Sequence, residues 1–149
     1  MNHKTIQETE AEIIEAFSWF ETWEEKYEYI IELGKKLPEL EDQYKVEENI
    51  IKGCQSTVWL VAHYENDKVV YKADSDAIIV KGLISMLISV LSGHSPDEIL
   101  DAKMDFIRKI GMMNHLAQTR SNGLVAMVKQ IKNYALAFKS VNATEKILQ

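Results

Sequence analysis

Apolar residues recur at helical spacing near the start of the chain, at Ile6, Ile13, Ile14, Phe17 and Phe20, which predicts an amphipathic helix. A second helix follows, with Thr22 as N-cap, Glu25 as the capping-box acid, Trp23, Tyr27, Ile30 and Ile31 on one face, and Gly34 where the helix should stop. The period then changes. Residues 45–52, 57–65 and 68–73 are strand candidates, and Asn66-Asp67 joins the last two, so an antiparallel meander of about three strands is the simplest arrangement. After Ala73 the pattern is helical again: Asp74 or Ser75 can cap a helix running to about Leu91, which Gly93 ends. Ser95-Pro96-Asp97-Glu98 is a capping box with proline at the first helical position. A short helix is expected over residues 104–112. A long one should begin near Ser121, with Leu124, Met127, Val128, Ile131, Tyr134, Ala135 and Phe138 at helical spacing and fraying from Lys139. Helices on both sides of a small antiparallel sheet define an α+β fold.

Composition adds a scale. A chain of 149 residues, 46% hydrophobic with two prolines, can bury a core without staples, which predicts a single domain over 1–149, an N-terminal helix within 1–21 and a flexible tail over 140–149. One cysteine cannot form an internal disulfide, and the polar, acidic N-terminus lacks a secretory pattern; both predict a reducing cytoplasm. The longest apolar run, residues 77–91, is interrupted by Lys81 and Gly82 and is too short for a bilayer, so no membrane partner is expected. A net charge of −6, with 17 basic residues dispersed among 23 acids, argues against nucleic acid.

The candidate chemistry narrows quickly. Zinc and iron–sulfur sites need several Cys and His ligands, whereas this chain has one Cys and four His without a CxxC or HExxH pair, so no metal is expected. Phosphate loops have no matching glycine pattern, and no bound cofactor is expected. His63, His94 and His115 are surface or packing residues unless the fold brings one to a nucleophile, and His115 is the one to watch. Most carboxylates read as helix caps and solvated faces. What stands out is Cys54, set at a strand turn in IIKGCQSTVWL. Gly53 permits unusual backbone there, and Gln55 and Ser56 offer local hydrogen bonds. These residues leave open whether the thiol is functional or incidental.

A wider pattern bears on that question. GCQSTVWL resembles the signature of the SufE family, cysteine desulfuration proteins of iron–sulfur cluster assembly. WEEKYEYIIELGKKLPEL, DSDAIIVKGLISML and TRSNGLVAM are similar to further family blocks in the same order, so the resemblance covers residues 22–138. It implies an α+β fold shared with scaffolds of the NifU/IscU type. It also implies that Cys54 takes sulfur from the persulfide of a cysteine desulfurase (SufS-like), stimulates its turnover, and passes the sulfur to an iron–sulfur scaffold complex (SufBCD-like). Pyridoxal phosphate then belongs to the desulfurase, and the chain acts as a carrier, monomeric or homodimeric, rather than a stand-alone enzyme. A CsdE-like acceptor for a different desulfurase is the alternative within the family; a Cys-dependent thiol hydrolase or peroxidase is the alternative of another class. The resemblance assigns Asp74, Asp76 and Arg120 to partner contact or loop restraint, with His115 grouped beside them. It departs at Ala117-Gln118, where family members often carry Ser-Pro. A persulfide needs shelter from solvent, so Val58, Trp59, Leu60 and the helix over 78–91 are expected to wall the sulfur, with Gly53 as hinge.

Overall fold

The computed structural model describes residues 4–148, with side chains through residue 141. Thr5 opens helix α1 (Ile6–Ser18) through a reciprocal capping box: its hydroxyl accepts from the Glu8 N–H, and the Glu8 carboxylate accepts from the Thr5 N–H. Helix α2 (Trp23–Lys36) is capped by Thr22 as predicted, but Glu25 reaches the Glu21 N–H at 3.3 Å instead of closing the box on Thr22. Gly34 does not stop the helix. Its place is a close crossing with α3 (Ile78–Leu91), where a Cβ on Gly34 would lie 2.8 Å from the Gly82 nitrogen and one on Gly82 would lie 2.1 Å from the Ile30 carbonyl oxygen. Two glycines let the helix backbones touch.

The expected three-stranded meander is a two-stranded hairpin. Strands β1 (Val58–Glu65) and β2 (Lys68–Ser75) pair antiparallel, from Glu65 opposite Lys68 to Val58 opposite Ser75. Asn66 and Asp67 both have left-handed φ, 52° and 62°, which suits a tight two-residue turn matched to the strand twist. Residues 45–52, predicted as the first strand, form no ladder with the hairpin beyond an isolated bridge from Ile50 to Trp59. Around them lie 3-10 turns at Asp42–Tyr44 and Glu47–Asn49. The cause is local: Glu47-Glu48-Asn49 interrupts the apolar alternation, and the Asn49 amide donates to the Tyr44 carbonyl at 2.8 Å.

Neither Asp74 nor Ser75 caps α3. Strand β2 runs to Ser75, Ala77 takes the N-cap position, and no side chain caps the helix. Burial keeps α3 in place: Leu83, Ile84, Met86, Leu87 and Leu91 are all withdrawn from solvent, each contributing about 1.5–3 kcal/mol. Helix α4 (Pro96–Asp101) has the predicted Ser95 and Glu98 capping box. The short helix expected over 104–112 is broken at Gly111, φ +76°, into α5 (Phe106–Lys109) and α6 (Met112–His115). Helix α7 (Gln118–Leu148) starts ahead of Ser121 and continues past Lys139, where fraying was expected; Gln149 lies outside the described residues.

Helix α7 lies against the hairpin. Tyr71 donates its buried hydroxyl to the Ile131 carbonyl at 2.7 Å, Tyr134 donates to Leu60 at 3.3 Å, and Tyr64 stacks on Phe138. Lys139 pairs with Asp97 at 2.7 Å, and the Lys132 ammonium donates to the Ala102 carbonyl, tying α7 to α4. The first turns of α7 are thereby held beside the loop that precedes β1. Among the described residues no helix is long and apolar enough to cross a membrane.

Candidate functional site

The loop over residues 52–57 is pinned at its base. The Ile51 N–H donates to the Val58 carbonyl at 2.8 Å on one side. On the other, Thr57 donates its N–H to Asp76 Oδ1 at 3.1 Å and accepts from the Ser75 hydroxyl at 2.8 Å. Between these anchors the chain turns at Gly53, whose φ of +96° strains any residue with a Cβ; an added Cβ would also press to 3.3 Å from Ala126 of α7.

Cys54 follows that turn, half-buried and unpaired. Its Sγ lies 3.6 Å from the Gly123 carbonyl oxygen, in position to donate a weak S–H hydrogen bond to α7. Gly123 is itself buried, and its missing side chain lets the helix backbone approach: a Cβ there would already touch Sγ at 3.5 Å. The thiol borders a cavity of about 260 Å³, walled by Val80 and Leu83 of α3 and by Gly123 and Met127 of α7. Gln55, Thr119 and Arg120, all exposed, stand at its edge. Burial pushes the Cys54 thiol above its ordinary pKa, and Arg120 does not pull it back.

The predicted site residues divide by position. Gln55 and Ser56 line the cavity without making the local side-chain hydrogen bonds expected of them, and Arg120 lines it without an ion-pair partner among the described residues. Asp76 restrains the loop through Thr57. Asp74, only 5% exposed, is held between Lys81 at 3.2 Å and Lys45 at 3.4 Å. Burial alone would raise its pKa, but the Ser75 N–H, at 2.8 Å, and the two ammonium groups outweigh this and hold it below the usual carboxylate range. His115 is placed elsewhere: it stacks on Trp23 with ring centroids 3.9 Å apart, its carbonyl accepts from the Tyr27 hydroxyl, and it does not border the cavity. His63 packs edge-on to Tyr44, and buried His94 faces Glu98 at 3.6 Å, so neither supplies a base to the thiol. Among the described residues no cluster of His, Cys, Asp and Glu is suited to a metal ion.

The expected walls were half right. Helix α3 contributes, whereas Val58 and Leu60 are buried in the core and Trp59 lies under the Lys45 ammonium. Gly123 and Met127 take their place; the resemblance put the Arg120 segment TRSNG near the cysteine loop but named neither as a wall. The available signal was Gly123 itself, a helix-weakening residue inside a strongly helical pattern, which usually marks close packing.

Comparison with known proteins bears on the family and the fold. Residues 11–135 match the family described as SufE: Fe-S metabolism associated domain. An uncharacterized SufE-like protein of Rhizobium etli is 44% identical over 130 residues, spanning 83% of this chain and 87% of the relative. One of Rhizobium meliloti is 41% identical over 83% of this chain and 92% of its own length. One of Synechocystis is 36% identical over 93% of this chain and 87% of its own length. The solution structure of a hypothetical protein from Thermus thermophilus superposes with a TM-score of 0.72 at 22% identity, covering 87% of this chain and 94% of that one. That likeness concerns the α+β fold.

Proposed function

The chain belongs to the SufE family, whose role lies in Fe–S metabolism, and from that premise we propose that Cys54 is a sulfur acceptor and carrier. The observation that carries the proposal is the seat of the one thiol: half-buried beside a cavity with room for a further sulfur atom, on a loop tied down at its base. In this reading the Cys54 thiolate attacks the outer sulfur of a persulfide on a cysteine desulfurase. A new S–S bond forms at Cys54, the donor's S–S bond breaks, and the donor thiolate leaves and takes up the proton Cys54 released. No net oxidation occurs, and pyridoxal phosphate acts in the desulfurase.

The surrounding residues receive graded roles. Gly53 supports the turn, Gln55, Ser56 and Arg120 form the mouth that meets the partner, and Asp76 holds the loop closed. Asp74 steadies the end of β2 beside it, while His115 takes no part in the sulfur chemistry. The single thiol also favours a carrier, because a second one nearby would attack the persulfide and expel its cargo. The thiol-hydrolase reading loses its base, since none of the described histidines borders the cavity.

The test is incubation with a cysteine desulfurase of the same organism and cysteine, followed by intact-mass analysis without reductant. One added sulfur on Cys54, removed by a thiol reductant and absent in Cys54→Ser, is expected. No adduct together with unchanged desulfurase turnover would overturn the proposal.

A further inference from the structure

On the other flank of α7 lies a second concavity that the sulfur chemistry does not use. Residues 123 and 127 face Cys54, whereas Leu124 and Val128, one position further around the helix, and Val125, two positions on from 123, line a groove of about 510 Å³ against Ile107 of α5 and Met113 of α6. The groove is mostly apolar, and part of that surface is open: Val125 is 57% exposed and Met113 37%. Such a contiguous apolar hollow marks an interaction surface, and methionine is a side chain suited to adaptable contact.

The rim says what kind of partner fits. In a chain of net charge −6, two basic residues, Arg108 and Lys129, line this groove against one acid, Asp105, whereas Lys103 and Lys109 line a separate hollow and Arg120 stands at the Cys54 cavity. Lys132 is engaged with backbone carbonyls. The side chains of Arg108 and Lys129, exposed on the groove's edge, have no hydrogen bond or ion pair among the described residues. A partner with apolar anchors flanked by carboxylates complements both features, and a helix is the element that presents them at matching intervals. A bilayer fits less well, because the hollow lies between helices and a flat interface would not fill it. A phosphate backbone would leave the apolar floor unused.

We propose that this groove receives an acidic amphipathic helix of a protein partner, docked beside the Cys54 cavity. The proposal does not depend on the chemistry assigned to the thiol. The probes are two synthetic helical peptides with identical leucine spacing, one bearing glutamates at the remaining exposed positions and the other lysines. Binding is read from methyl NMR shifts of the full-length protein and from titration. The Glu peptide should shift Met113, Val125 and Val128, and the Lys peptide should bind roughly tenfold more weakly or worse. Added salt should narrow the difference. Val125→Asp, at an exposed position, should remove Glu-peptide binding while the circular dichroism spectrum stays unchanged. The double variant Arg108→Glu, Lys129→Glu should reverse the preference, which a merely sticky patch would not do. Equal binding of both peptides, binding of neither, or shifts mapping away from the groove overturns the proposal. So does a result in which phosphatidylglycerol vesicles or duplex DNA perturb these methyls and the Glu peptide does not.

Discussion

Replacing Asp76 by alanine should make Cys54 markedly more reactive without unfolding the protein. The carboxylate accepts from the Thr57 N–H at 3.1 Å, whereas the Ser75 hydroxyl still holds the Thr57 carbonyl at 2.8 Å, so the variant removes one of the loop's restraints and leaves others. A hydrogen bond to a charged group contributes about 1.5–3 kcal/mol where water is excluded, and the exposed position of Asp76 reduces this to about 1 kcal/mol. If alkylation requires the loop to lift from α7, its rate follows the opening equilibrium and should rise about fivefold. The assay is iodoacetamide modification in native buffer at one pH, normalised to the rate in urea, with the global unfolding midpoint measured in parallel. Asp76→Asn, which keeps a neutral acceptor, should fall between. An unchanged rate in Asp76→Ala, or a rise matched by an equal change in global unfolding, would refute the restraint.

Gly82→Ala should lower stability by at least about 1–3 kcal/mol, because the new methyl would lie 2.1 Å from the Ile30 carbonyl oxygen and must push α2 from α3; a reduced urea midpoint at unchanged slope checks it. Tyr71→Phe removes the 2.7 Å hydrogen bond to the Ile131 carbonyl and should cost about 1 kcal/mol in the same urea measurement. Asp74→Asn should destabilise by about 1–2 kcal/mol at pH 7. Because the folded carboxyl is held below its unfolded value of about 3.9, that advantage is present above this pH and is lost as pH falls through the folded pKa; melting curves of both proteins should converge in acid.

Legibility in the sequence followed the range of the interactions. The Ser95 box, the Thr22 cap and the Asn66-Asp67 turn were readable because each is decided within four residues of chain. The false strand over 45–52 failed on a local cue, the side-chain bond from Asn49 to Tyr44, that apolar content alone does not reveal. Gly34 failed for a different reason: a glycine near a helix end reads as a terminator, and only the crossing helix shows that it is a contact. At the site, the turn at Gly53 was legible from local chemistry, whereas composition and turn chemistry left the role of Cys54 open and only the resemblance to the SufE family assigned it one. The α7 wall was not legible, because Gly123 lies 69 residues along the chain from the thiol it meets.

That long-range contact makes shelter and acidity one property of Cys54. Burial in the cavity raises the thiol's pKa, and the S–H bond to the Gly123 carbonyl favours the same protonated form. Arg120 on the cavity edge leaves that shift in place, and no described histidine borders the site to take the proton. Under the carrier reading, lifting the loop from α7 removes both effects at once: the sulfur reaches solvent or a partner's pocket, and its pKa returns toward about 8.5. Once sulfur is added, the inner atom has no proton left to give Gly123, so the loaded loop has one tie fewer to α7 than the empty one. The anchors at Thr57, rather than a general base, then decide when Cys54 reacts.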